Sequence, residues 1–139
     1  MAGVINVSEA ASLALHTVAI LASEPGRIFS TREIASSLRV SEAHLAKVMQ
    51  RLGKVGLVKS VRGPKGGFVL GRKPEEITLL DVYELIDGPL GNSNCLFGTP
   101  VCGNRKCIMG NLLTSVNRQV REYFSNTRLS QIAQKAAKR

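Results

Sequence analysis

The chain contains three cysteines, Cys95, Cys102 and Cys107, all within thirteen positions of one another. In a glycine-rich loop such thiols can converge on one point. Three soft donors in a reducing compartment suit a metal ion or an iron-sulfur cluster; equally, they can remain three unpaired thiols. Disulfide pairing is disfavoured, because an odd count leaves one thiol over. The two histidines, His16 and His44, are the other candidate ligands. Neither belongs to a Ser-His-Asp or Cys-His-Asp set, and no glycine-rich phosphate loop is present, so an enzyme is not expected.

A second group of residues is electrostatic. Nineteen Lys and Arg stand against ten Asp and Glu, a formal charge of +9. The excess is uneven: residues 1–74 carry eleven bases and four acids, residues 75–139 eight and six. Between positions 47 and 73 lie Lys47, Arg51, Lys54, Lys59, Arg62, Lys65, Arg72 and Lys73, with no acid among them. Crowding like charges has no structural benefit. It suits a phosphate backbone, because each neutralised phosphate releases condensed counterions.

The elements that must position these groups follow from periodicity and capping. Residues 9–22 read as a helix buried on most sides, with Ala11, Leu15, Val18 and Ala22 on one face and Leu13, His16 and Ile20 beside it. Ser30-Thr31-Arg32-Glu33 is a capping box that opens a second helix ending near Leu38, and Ser41 caps a third. Two capped helices across a tight turn make a helix-turn-helix. Leu45, Val48, Met49 and Leu52 bury one side of the third helix, which turns Glu42, Ala43, His44, Lys47, Gln50 and Arg51 outward.

After Gly56 the period becomes two, so residues 57–62 and 67–70 read as strands around Gly63-Pro64-Lys65-Gly66. A basic hairpin behind a recognition helix is a wing. Thr78 and Asp81 cap another helix, ended at Gly88-Pro89. The irregular stretch 88–110 holds all three cysteines. From Ile108 a long helix is predicted, with Ile108, Leu112, Val116, Val120 and Tyr123 or Phe124 as an apolar stripe lacking an obvious partner in the chain. A second copy would bury it. The tail from Arg128 reads as short and basic at its end.

The expected fold class is mainly α with a small β-hairpin: a winged helix-turn-helix plus a long C-terminal dimerisation helix. We expect residues 1–90 to form the DNA-binding domain, 91–110 the cysteine loop, and 111–139 the dimerisation helix and tail. At 139 residues one compact core is the economical arrangement. No stretch approaches the roughly 20 apolar residues of a membrane span, and the first residues lack a secretory pattern. A soluble, cytoplasmic protein without a membrane partner is expected.

Leu45-x6-Leu52-x3-Gly56-Leu57-Val58, followed by Ser60-Val61-Arg62-Gly63-Pro64-Lys65-Gly66-Gly67-Phe68, resembles the Rrf-type family of bacterial winged-helix regulators. The likeness extends from Leu13-Ala14-Leu15, through Ile77-Thr78-Leu79-Leu80-Asp81-Val82, to the three cysteines ahead of a long helix. It implies a homodimeric regulator of double-stranded operator DNA, a repressor, whose two winged helices enter successive major grooves roughly 34 Å apart. Ser41, His44, Lys47, Arg51, Lys59, Arg62, Gly63, Pro64, Lys65 and Gly66 are the expected DNA contacts, with Arg62 in the minor groove.

The resemblance also implies an iron-sulfur cluster, 2Fe-2S or 4Fe-4S, on Cys95, Cys102 and Cys107, since sensor members hold one on three cysteines of this loop. Its state would report redox, iron or nitric oxide. The member that controls iron-sulfur biogenesis takes a histidine three residues beyond the last cysteine as fourth ligand. Here that residue is Gly110, a departure. Other members recruit a side chain from the partner's first helix, and His16 or Glu9 could serve. The alternative keeps DNA binding but makes the thiols a direct redox switch or a zinc site.

Overall fold

The computed structural model describes residues 5–91 and 94–137. Its elements are α1 (Glu9–Ser23), α2 (Thr31–Leu38), α3 (Glu42–Lys54), β1 (Val58–Val61), β2 (Gly67–Leu70), a 3-10 turn (Pro74–Glu76), α4 (Leu79–Asp87), α5 (Leu112–Asn126) and α6 (Leu129–Ala137). The fold is mainly helical with one antiparallel hairpin, as expected. Asn92 and Ser93 of the irregular stretch, and the basic end of the tail at 138–139, lie outside the described residues.

Local chemistry sets the helix starts. Ser8 caps α1 by accepting from the Ala11 amide, and Ser41 caps α3 by accepting from the His44 amide. Reciprocal boxes, Ser30 with Glu33 and Thr78 with Asp81, open α2 and α4. Each cap satisfies an amide that has no partner within its helix. At the end of α2, Arg39 adopts a left-handed conformation (φ 56°) and its N–H bonds to the carbonyls of Ala35 and Ser36. This closes the tight turn into Ser41.

The wing is tied to the helix-turn-helix through backbone. Val58 pairs with Leu70 and Val61 with Gly67, while Phe29 and Phe68 exchange both N–H to O bonds, at 2.9 and 2.8 Å. That approach leaves no space for a side chain at Gly67, whose Cβ would stand 2.1 Å from the Phe29 carbonyl oxygen. The hairpin orientation is therefore set by the segment that leads into α2. Arg27 lies over the Phe29 ring, 4.3 Å from its centroid, and pairs with Glu24 and Glu33.

Helix α1 is the centre of the core. Ala11, Ala14, Val18, Leu21 and Ala22 are buried against α4 and α6. The last helix is the main addition to the sequence reading, which left this segment as a tail. Leu129, at 0% exposure, and Ala133 enter the core, and the path into α6 is fixed by Leu79 N–H to Thr127 O (3.0 Å) and Leu129 N–H to Ile77 O (2.9 Å). The other correction concerns Ile108. The long helix begins at Leu112, and Ile108 is 89% exposed in the preceding turn, so it does not extend the stripe.

Along α5, Phe124 packs edge-on against Tyr83 of α4, with centroids 5.6 Å apart. No α5 side chain is fully buried, and Leu112 and Tyr123 are each 54% exposed.

Leu129→Ala removes a fully buried side chain at the junction of α6 with α1, and denaturant titration is expected to show a loss of about 3 kcal/mol. An effect below about 1 kcal/mol would mean that α6 is not part of the cooperative core.

Candidate functional site

The basic segment is presented to solvent as a whole. Lys47, Arg51, Lys54, Lys59, Arg62, Lys65, Arg72 and Lys73 are all exposed, and among the described residues none of them forms a salt bridge. The field of this surface is therefore available to an external anion. Helix α3 and the hairpin enclose an open groove of about 1040 Å³ lined by Thr31, Gln50, Lys54, Lys59, Ser60 and Phe68, among others. Lys54 was not among the expected contacts, whereas Gln50 was read as an outward residue of α3. The signal for Lys54 was its place in the acid-free run.

The wing tip carries Arg62, Gly63, Pro64 and Lys65, all exposed, with Gly66 half-buried. Gly63 sits at φ +111° and its carbonyl accepts from the Gly66 amide at 2.9 Å. A Cβ at Gly66 would lie 2.1 Å from the Val61 carbonyl oxygen. The tip is thus a tight glycine-dependent turn that thrusts two cations outward.

Other expected contacts are placed differently. Ser41 is exposed but its hydroxyl is occupied in capping α3. His44 is half-buried and lines a groove of about 340 Å³ with Glu9, Ser12, His16, Leu38 and Val40. The structure thereby brings both histidines and Glu9 to one surface between α1 and α3. The Nδ1 atom of His16 lies 2.7 Å from the Ser12 carbonyl oxygen. Arg51 reaches across to α4, where its Nη2 donates to the carbonyls of Leu85 and Ile86, both at 3.0 Å.

The cysteine loop links α4 to α5. Each cysteine opens a turn: the carbonyls of Cys95, Cys102 and Cys107 accept from the amides of Gly98 (3.0 Å), Arg105 (3.2 Å) and Gly110 (3.1 Å). Cys95 and Cys102 are half-buried and Cys107 is exposed, and none forms a disulfide. The Met109 amide donates to the Cys107 sulfur at 3.4 Å. In donor chemistry the loop fits an iron-sulfur centre. In geometry the thiols are not gathered: among the described residues no three Cys, His, Asp or Glu side chains converge at metal-binding distance.

The sequence pattern of Rrf2, described as an iron-dependent transcriptional regulator, matches residues 7–135. The chain belongs to the Rrf2 family. A protein of Aquifex aeolicus named as an HTH-type transcriptional regulator is 32% identical over 128 residues, covering 90% of this chain and 89% of the relative. CymR, the global cysteine regulator of B. subtilis, superposes with a TM-score of 0.77 at 29% identity, covering 94% of this chain and 98% of CymR. IscR of T. potens superposes at 0.72 and 25% identity, covering 96% and 89%.

An Rrf2 chain is a transcription regulator with a winged-helix DNA-binding fold. Among the described residues no helix is long and apolar enough to cross a membrane.

Arg62→Ala is expected to weaken binding to duplex DNA and to reduce the slope of log K against log salt by about 1. Filter binding at several salt concentrations measures this, and an unchanged slope removes Arg62 from the interface.

Proposed function

We propose that this chain is a homodimeric, sequence-specific repressor whose operator affinity is governed by an iron-sulfur cluster held on Cys95, Cys102 and Cys107. The observation that carries the reading is the confinement of every thiol in the chain to one loop joining the DNA-binding core to α5. The family's description as iron-dependent supports it, as does the resemblance to cluster-holding sensor members. When bound, the group supplies redox reactivity and reactivity towards small molecules at a solvent-accessible loop.

The chain's own residues do the rest. Lys47, Lys59, Arg62 and Lys65 bind phosphates and groove edges, and Gly63, Pro64 and Gly66 hold the wing tip in its turn. Ser41 fixes the N-terminus of α3. His44 stands near that end as a base or phosphate contact. The three cysteines would hold the group. His16 and Glu9 are candidates for a fourth ligand offered to a partner subunit, and the Ser12 carbonyl would hold the His16 ring with Nε2 outward, as backbone carbonyls do for metal-binding histidines. Regulation is a bias between two loop arrangements that differ in their interaction with the ligand.

Homodimerisation through α5 rests on its incompletely covered stripe, because an exposed apolar face that matches itself by a two-fold axis suits a second copy. Regulation of this kind belongs in the cytoplasm, where thiols stay reduced.

A second reading has specific support. The separation of the thiols in the single chain, together with the likeness to a global cysteine regulator, favours direct thiol switching without a cluster; zinc is the other cluster-free form.

Anaerobic isolation followed by iron and sulfide analysis and a visible spectrum separates the two. A coloured protein with iron and sulfide, bleached by Cys102→Ala with the fold retained, is the expected result; a colourless protein with zinc or bare thiols selects the second reading. For the dimer, the double substitution Leu112→Glu and Tyr123→Glu touches side chains already half exposed in one chain. Sedimentation is expected to show a folded monomer, and an unchanged dimer would place the interface elsewhere.

A further inference from the structure

The last turn of α4 is a junction. On one side it holds the start of the cysteine loop: the Gly88 amide donates to the Glu84 carbonyl (2.9 Å), the Leu90 amide donates to the Glu84 carboxylate (2.9 Å), and Arg121 of α5 donates to the Leu90 carbonyl (2.9 Å). A little further along, Asn117 of α5 donates to the Asn94 side chain, next to Cys95. On another side the Asp87 carboxylate accepts from the Ser8 amide and hydroxyl, fixing the start of α1. On the third, Arg51 of the recognition helix grips the carbonyls of Leu85 and Ile86.

These last two carbonyls belong to the C-terminal turn of α4, which has no later amides in its own helix to pair with them and carries the negative end of its dipole. A guanidinium there makes charge-assisted hydrogen bonds. Helix α4 packs mainly on α1 and α5 and only lightly on α3, so among the described residues the Arg51 guanidinium is the hydrogen-bonded tie between α3 and the turn from which the cysteine loop departs. Leu90, five positions before Cys95 in the sequence, is tied to α5 and to the α4 turn, and that turn is tied to α3.

We propose that Arg51 is a positioning residue, not a DNA contact: it couples the anchored root of the cysteine loop to the orientation of the recognition helix. This rests on the reading that the state of the loop governs operator affinity. A phosphate contact and a coupling residue predict different things. The first lowers affinity and the salt slope alike in every loop state, whereas the second sets how strongly the loop state changes affinity.

The test compares two loop states: protein reconstituted anaerobically with ferrous iron and sulfide, and iron-free protein with its thiols alkylated. All three cysteines lie in the loop, so alkylation acts there alone. Operator affinity and its salt slope are measured in both states for the native chain, Arg51→Met and Arg51→Lys. We expect the native ratio of affinities to be about tenfold or more and to fall below about threefold in Arg51→Met, with the slope unchanged. Arg51→Lys keeps the charge for a phosphate but has no planar fork; its ratio should also fall, and it serves alone if the Met variant does not fold.

A ratio that stays native in the folded variants overturns the coupling role. A slope reduced by about 1 in Arg51→Met overturns it too, by identifying a phosphate contact. A native ratio near one defeats the loop-control reading first, and the coupling with it.

Discussion

Helix α1 must be covered, and most of the architecture follows from that requirement. Its small and aliphatic side chains, Ala11, Ala14, Val18, Leu21 and Ala22, are almost fully removed from water, a state worth about 25 cal/mol for each Å² of apolar area buried. Covering α1 demands α4 on one side and α6 on another. Helix α6 is the last in the chain, and its return to α1 sets the path that α5 must take between them. The cysteine loop is consequently held at both ends by elements that share one core.

The same core orients the DNA-facing surface. Leu45, Val48, Met49 and Leu52 seat α3, and the Phe29 and Phe68 backbone pair orients the hairpin relative to it. Lys47 and Lys54 of α3, and Lys59, Arg62 and Lys65 of the hairpin, therefore project from two elements tied through main-chain hydrogen bonds. A rigid base makes the electrostatic surface a shape as well as a charge, which is what groove recognition needs beyond phosphate attraction.

Features decided within a few residues were legible in the sequence. The caps at Ser30, Ser41 and Thr78, the buried face of α3 and the glycine-rich wing are all local, and all lie where spacing places them. Features decided by distant contacts were not. Helix α6 offers only the short stripe Leu129, Ile132 and Ala133 before a basic end, and its burial depends on α1, over a hundred residues earlier. Ile108 matched the spacing of the α5 stripe, but the Cys107 to Gly110 turn, with Gly110 at φ +58°, interrupts the helix ahead of Leu112. Arg51 read as an outward cation because its partners are 34 and 35 positions away and are backbone atoms, which leave no trace in side-chain pattern. The grouping of His16, His44 and Glu9 was hidden for the same reason.

Cysteine is absent from the packed interior, where Leu, Ile, Val, Ala and Met fill the space instead. Oxidants, nitrosating agents or electrophiles that attack thiols thus meet their targets only on the connecting loop. Chemical injury and chemical information arrive at one address, away from the side chains that keep the molecule folded, so such reactions can recur without eroding the scaffold that must interpret them.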